Sequence, residues 1–257
     1  MDIHPTSIVH PGAKIADGVE IGPYCIIGEH VKIARGTRVK SHVTINDWTE
    51  IGEGCTFFSF SSIGEPPQDL KFKGEESYLR IGRENVFREF ITLNRGTKEG
   101  GGTTVIGDSN FFMAYCHVAH DCRIGNHVIM ANAATLAGHI TIADHAIIGG
   151  LSAIHQFVRI GRHAIIGGAS AVPKDVPPFC NATGNRATLH GLNSVGLKRH
   201  NFPEETVREL KKAYRLIFRS NLMVQEAMER VQAEVTALSE VQELVTFIGE
   251  SKRGFCR

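Results

Sequence analysis

The stretch Ile124-Gly125-Asn126-His127-Val128-Ile129-Met130-Ala131-Asn132-Ala133-Ala134-Thr135-Leu136-Ala137-Gly138-His139-Ile140-Thr141-Ile142-Ala143-Asp144-His145-Ala146-Ile147-Ile148 places a large apolar residue at every sixth position. Moving outward in both directions extends the pattern from Ile106 through Phe112, Val118, Ile124, Met130, Leu136, Ile142, Ile148, Ile154, Ile160 and Ile166 to Val172, twelve successive hits. An earlier run from Ile3 to Ile63 holds the same step for eleven hits, and a short one joins Ile81, Phe87 and Leu93. Four places after the large residue comes a small or β-branched one, as at Val19, Cys25, Val31, Thr37, Val43, Ala134, Ala146, Ser152, Ala164 and Ser170. A period of six fits neither an α-helix nor a free alternating strand. It fits a solenoid with six-residue sides, three of which close a coil of roughly 18 residues. Large and small residues then both face inward. Glycine and polar residues take the turns, where positive φ or close backbone approach is needed.

Two segments break the step. Gly64–Tyr78 carries Pro66-Pro67 and several charges, and Gly96–Thr103 is glycine-rich and shifts the phase by one. Both are expected to project as loops, near 64–78 and 96–104, and loops on a rigid scaffold tend to carry function. After Val172 the hexapeptides stop. Pro173, Pro177 and Pro178 mark the exit, and Asn201-Phe202-Pro203-Glu204-Glu205 offers an N-cap, a first-turn proline and early acids. Helical spacing follows at Leu210, Ala213, Tyr214, Ile217 and Phe218, then through Val224–Leu238 and Val241–Ile248. The domains are therefore expected at 1–187 for the β-helix and 188–257 for a small helical region.

With 257 residues, 42% hydrophobic and 21% charged, the chain reads as folded rather than disordered. A net charge of +1 gives no basic field to advertise nucleic acid. The opening MDIHPTSIVHPGAKI has neither a basic nor an apolar leader segment, and no apolar run is long enough to span a bilayer. A cytoplasmic protein is expected. Six cysteines without any CxxC pair read as small buried hydrophobes in such a compartment.

Chemistry concentrates late in the second run. Steps of 18 from His120 reach Gly138 beside His139, then Gln156 beside His155. These residues are expected to stack on one edge of three successive coils, a polar column about 10 Å tall. An imidazole can take a proton from an attacking hydroxyl near neutral pH, and a backbone N–H at a glycine turn can hold an oxyanion. Asp121 stands beside His120 as a group that could orient its ring. No GxSxG elbow is present, which favours direct attack over a covalent intermediate.

The segments His117-Val118-Ala119-His120-Asp121-Cys122, Leu136-Ala137-Gly138-His139, Ala153-Ile154-His155-Gln156-Phe157 and Gly191-Leu192-Asn193 through Gly196-Leu197-Lys198-Arg199 resemble the UDP-N-acetylglucosamine 3-O-acyltransferase family of lipid A synthesis. Gly64-Glu65 with Gln68-Asp69-Leu70-Lys71 resembles that family's projecting loop, and Asn94-Arg95-Gly96-Thr97 its second landmark. The likeness runs over essentially the whole chain. It implies a left-handed coil, a homotrimer with clefts between solenoids, and a 3-hydroxyacyl donor carried on acyl carrier protein. It implies that His120 is the general base, Asp121 its support and the Gly138 N–H the oxyanion donor. Gln68, Asp69 and Lys71 would hold the sugar and phosphates, and His117, His139, His155 and Gln156 would line the cleft. Asn193 and Arg199 would face the nucleotide or the phosphopantetheine, and Gly168 would leave the acyl groove open to a longer chain. No metal is implied, and no cofactor beyond the phosphopantetheine on the carrier. Val195, His200 and Asn94 depart from the family's usual Glu, Arg and His. Alternatives that remain open are a 3-amino sugar nucleotide as acceptor, another hexapeptide acyltransferase, a γ-type carbonic anhydrase recruiting His117 and His120 to zinc, and a purely structural solenoid.

Overall fold

The computed structural model describes residues 2–257. Two-residue strands recur every six residues, and each pairs in parallel with the strand one coil on: Thr135 lies against Ala153, Ile147 against Ile165 and Thr141 against Arg159. Three sheets of eleven, nine and eight strands result, interleaved in sequence as the three faces of one left-handed parallel β-helix. The first face begins at Asp2–Ile3, the second at Ile8–Val9 and the third at Lys14–Ile15. Large and small inward residues fill the prism: from Val19 to Val172 the repeated aliphatic positions are almost fully buried, as are the small ones. All six cysteines are buried free thiols within the core clusters.

Two conformational needs are met by different residues. Except at Gly64, where the first loop departs, the glycine after the aliphatic position keeps an ordinary φ, but at Gly22, Gly52 and Gly107 an added Cβ would come within 2.6–3.2 Å of backbone in the next coil. Close approach, not backbone handedness, selects glycine there. The positive φ falls instead at each corner, on residues such as Tyr24, His42, Phe60, Phe90 and Tyr115. A non-glycine residue in this region costs about 1–2 kcal/mol. Stacking offsets it: successive rings of that column lie 4.9–5.2 Å apart.

Both interruptions leave the prism at the corner between the second and third faces. Ser62 pairs with Thr92, 30 residues on, so twelve residues are added to the 18-residue coil. Thr92 pairs with His117, 25 residues on, which adds seven. Strand register resumes after each, with Ile81 against Ile106, although the seven-residue insertion moves the six-residue step along by one.

The boundary expected at 187/188 falls inside a hairpin. Cys180–Thr183 joins the first face in parallel with Ile165–Ile166, and Thr188–Leu192 returns antiparallel beside it. The first sheet therefore extends to Leu192. Helices begin with α1, Ser194–Arg199, followed by α2, Glu204–Phe218, α3, Val224–Glu234, and α4, Ser239–Gly249. Asn201 does not cap α2 as its sequence context suggests. It sits in a left-handed turn with its N–H on the Lys198 carbonyl, and Pro203 occupies the cap position without a side-chain bond. The helices bury their own apolar cluster against Phe179 at the solenoid's end.

Candidate active site

The corner that ejects both loops also carries Asp121, His139 and Phe157 in successive left-handed turns. Register places His120 over Gly138 and Gly138 over Gln156, because His117, Thr135 and Ala153 pair directly. His155 lies one residue to the side, below Ala137, so the expected column is His120, Gly138 and Gln156 with His139 flanking it. The coils are tied at this level by the His139 N–H to the His120 carbonyl (3.0 Å) and the Phe157 N–H to the Gly138 carbonyl (3.1 Å).

His120 is 8% exposed and its Nδ1 lies 2.8 Å from Asp121 Oδ2. The Asp121 carboxylate is fully buried, so its charge must be satisfied from within. Thr97 supplies its N–H to Oδ1 at 2.9 Å and its hydroxyl to Oδ2 at 2.6 Å. The Asp121 N–H in turn donates to Thr104 Oγ1 at 2.8 Å. With Nδ1 directed at the carboxylate, Nε2 is the ring nitrogen left open to a substrate hydroxyl. Gly138 is packed against that ring: a Cβ there would stand 2.6 Å from His120 Cε1 and 2.8 Å from Nε2. Its N–H donates to no backbone or side-chain acceptor among the described residues.

Around this dyad, His117 Nδ1 meets Thr92 Oγ1 at 2.7 Å, and burial, then the nearby His120, holds its pKa below the usual imidazole range. His139 meets His120 edge to face and stacks on Phe157 at 4.5 Å. Burial also lowers its pKa, against the pull of Asp121. Both rings are thus neutral at physiological pH, suited to hydrogen bonding rather than ion pairing. In the first loop Asp69 accepts the Lys71 N–H, and Lys71 reaches Glu99 of the second loop at 3.5 Å. Gln68 is exposed beside them. Asp69 is among the charges felt by His139, which sets the loop at the dyad's side.

Asn193 and Arg199 are not brought to this corner within the protomer. Asn193 is buried, its Oδ1 accepting the Gly196 N–H that starts α1 and its Nδ2 donating to the His163 carbonyl. Arg199 is exposed at the end of α1. That helix adjoins another corner, where His127, His145 and His163 stack and His200 packs edge-on. Gly168 is exposed on the last full coil, where a Cβ would meet only the Gly150 backbone, at 3.3 Å or more.

Two groups have ligand atoms close enough to share an ion, His145-His163-His200 and His120-Asp121-His139. In the second, both Asp121 oxygens already accept donors, which suits an orienting carboxylate better than a metal ligand. Thr97 and Thr104 were not legible as site residues. Only the Asn94-Arg95-Gly96-Thr97 landmark pointed to the first, and nothing in local spacing revealed that it folds back onto Asp121.

Residues 2–35 and 103–138 match the bacterial transferase hexapeptide family of six repeats, and fold and site together define a hexapeptide-repeat acyltransferase. Residues 175–256 match the family described as Udp N-acetylglucosamine O-acyltransferase, domain 2. The acyl-[acyl-carrier-protein]–UDP-N-acetylglucosamine O-acyltransferase of Thermodesulfovibrio yellowstonii is 57% identical over 256 residues, covering 100% of this chain and 99% of the relative. That of Syntrophobacter fumaroxidans is 49% identical with both chains fully covered. The solved LpxA of Acinetobacter baumannii superposes with a TM-score of 0.97 at 45% identity, covering 99% of each chain. The chain belongs to the acyl-[acyl-carrier-protein]–UDP-N-acetylglucosamine O-acyltransferase family.

Proposed function

We propose that the protein transfers a 3-hydroxyacyl chain from acyl carrier protein to the 3-hydroxyl of UDP-N-acetylglucosamine, the first step of lipid A synthesis. The observation that carries this reading is the locked pair His120–Asp121 with the glycine amide of Gly138 against its ring. His120 Nε2 takes the proton of the sugar hydroxyl as its oxygen attacks the thioester carbonyl. The Gly138 N–H holds the oxygen that becomes negative in the tetrahedral intermediate. Collapse forms the ester, breaks the carbon–sulfur bond and returns the proton from imidazolium to the departing thiolate. Asp121 orients the ring and stabilises its charged form. No resident cofactor is needed, because the phosphopantetheine arrives on the carrier.

Gln68, Asp69 and Lys71 position the sugar, His117, His139, His155 and Gln156 line the cleft, and Gly168 leaves room for the distal acyl chain. Asn193 and Arg199 serve the nucleotide or the pantetheine of a neighbouring protomer, the backbone near them being held through Asn193. A homotrimer is supported by this separation of functional corners, by the exposed aromatic column through Tyr24, Phe60, Phe90 and Tyr115, and by Leu70, wholly exposed at the loop tip. Among the described residues no helix is long and apolar enough to cross a membrane, in keeping with a cytoplasmic enzyme.

The test is turnover of UDP-N-acetylglucosamine with 3-hydroxyacyl carrier proteins of several chain lengths. Product ester formed by wild type and lost in His120→Ala is expected. Turnover only with the 3-amino sugar would replace the acceptor, and turnover with neither would remove the acyl-transfer reading.

A further inference from the structure

The corner between the third and first faces gathers imidazoles that the acyl-transfer chemistry leaves unused. His145 and His163 occupy the same place in successive coils, each in a left-handed turn, with φ of 61° and 55°. Each turn is tied to the coil before it. The His145 N–H donates to the Asn126 carbonyl at 2.9 Å, and the His163 N–H to the Asp144 carbonyl at 3.1 Å. Their rings stack 4.6 Å apart with planes 2° from parallel. His200 stands edge-on to both, 5.0 Å from His145 and 4.7 Å from His163.

The third ring is placed through the backbone as well. Asn193 Nδ2 donates to the His163 carbonyl at 2.9 Å, while Asn193 Oδ1 accepts the Gly196 N–H that opens α1. His200 caps the far end of this six-residue helix, its N–H on the Gly196 carbonyl at 3.0 Å. Asn193 thus seats α1 on the His163 turn, and the helix returns a ring to the same corner. Phe202 meets His163 edge to face and Phe179 follows it in the stack, so His163 is only 4% exposed. His200 remains exposed.

Stacking alone does not account for where the nitrogens lie. One donor atom from each of the three rings lies within 4.8 Å of the other two. In a tetrahedral site with zinc–nitrogen bonds of about 2.0–2.1 Å, the nitrogens stand about 3.3 Å apart. Each donor closes by less than about 1 Å to reach that spacing. His200, exposed at a helix end, has the freedom to make most of the movement. Among the described residues, none of the three rings hydrogen-bonds to a protein group, in contrast to His117 and His120. Asp144 and Arg162 are the charges of opposite sign that His145 and His163 feel. Asp144 favours a cation, and Arg162 is countered by Glu243 of α4, which accepts from it at 2.6–3.2 Å.

We infer that His145, His163 and His200 bind a divalent transition-metal ion through three imidazole nitrogens, with the fourth position left to solvent. Neutral imidazole is a donor suited to zinc, cobalt and nickel. The ion fastens the end of α1 to the prism, a cross-link between helical region and solenoid that does not depend on apolar burial. It lies at a different corner from the dyad and takes no part in proton transfer there.

The test uses the full chain without an added histidine tag, stripped with a chelator and titrated with zinc chloride in a calorimeter. Wild type is expected to take up one ion per chain. Affinity should fall at least about tenfold in His145→Phe, which keeps a ring in the stack, and in His200→Ala, which alters an exposed side chain. His127→Ala, the next ring of the column but outside the donor group, should bind as wild type does. Zinc should raise the thermal transition of wild type and leave that of His145→Phe and His200→Ala unmoved. Cobalt should give ligand-field absorption without a sulfur-to-cobalt charge-transfer band. Absence of binding to wild type, or unchanged affinity in both His145→Phe and His200→Ala, would overturn the site. Binding lost in His120→Ala but kept in His200→Ala would move the ion to the dyad, and a charge-transfer band would move it to a cysteine; either result overturns the assignment. None of these readouts involves turnover, so failure of the acyl-transfer reading would leave the metal site standing.

Discussion

Gly138 and His120 constrain each other more tightly than either is constrained by the solenoid. The ring cannot swing away, because Asp121 holds Nδ1 and Thr97 holds Asp121. A methyl at residue 138 therefore has no soft neighbour to displace, and Gly138→Ala must turn the ring or lift the turn. We predict that kcat falls at least tenfold in Gly138→Ala while the thermal transition stays within a few degrees of wild type. His120→Ala should lose about 10²–10⁴ in kcat, the usual worth of a positioned base. Thr97→Val removes the 2.6 Å hydroxyl bond to a fully buried carboxylate, and its cost should appear as a changed pH–rate profile as well as a lower rate. A profile identical to wild type would mean that Thr97 serves only the loop. Gly168 offers the opposite case, since an added Cβ meets one carbonyl at 3.3 Å and otherwise open space. Gly168→Met should fold normally and shift donor preference to a shorter acyl chain, measured by competition between carrier proteins. No shift would leave Gly168 a turn residue.

At the scale of the element, each corner is a column with its own chemistry. The column of His127, His145, His163 and Phe179 joins the prism to α1, with His200 and Phe202 packed edge-on against His163. His163 is 4% exposed, and burial, then its histidine neighbours and Arg162, push its pKa down to about 4. Asp144 pulls the other way and is outweighed. Unfolded, the same imidazole takes a proton near pH 6.5. Between those values the unfolded chain binds more protons, so stability is greatest above about pH 6.5 and is lost as pH falls towards 4. The loss attributable to this residue is on the order of 3 kcal/mol. His163→Phe keeps a ring in the stack and removes the titration, so urea unfolding at pH 7 and pH 4.5 should show a smaller difference than in wild type. An equal difference would assign acid sensitivity to other groups. The prism was legible because its signal is one-dimensional: inward residues repeat every six, and packing leaves that step no freedom. His120, Gly138 and Gln156 followed from adding 18. The corner conformations were only half legible, since close approach selects glycine visibly while stacking lets aromatic residues occupy positive φ without a local signature. Thr97 and Thr104 were hidden because their contact with Asp121 depends on how an inserted loop folds back. Asn201 misled because a good cap sequence was placed in a tertiary turn.

For the whole molecule, the decisive feature is that one protomer does not assemble all the residues its family likeness assigns to the site. The dyad and both loops occupy one corner, whereas α1 with Arg199 adjoins the histidine column at another. A rigid solenoid cannot fold these corners together, because every coil is locked to its neighbours by parallel pairing. A cyclic trimer can, by setting the dyad corner of one copy against the α1 corner of the next. Sedimentation should then give three times the chain mass. Tyr115→Glu with Leu151→Asp, which charges an exposed apolar corner, should yield folded single chains with little activity. Complementation tests the geometry directly. Chains carrying His120→Ala should be inactive alone, and chains carrying Arg199→Ala should have a raised KM or low rate. When the two are unfolded together and reassembled in equal amounts, roughly one quarter of the clefts acquire an intact base from one variant and an intact arginine from the other. Activity should recover towards that fraction. If each site is instead built within one protomer, every chain in the mixture carries a defect in its own cleft, and the rate stays at the mean of the two variants.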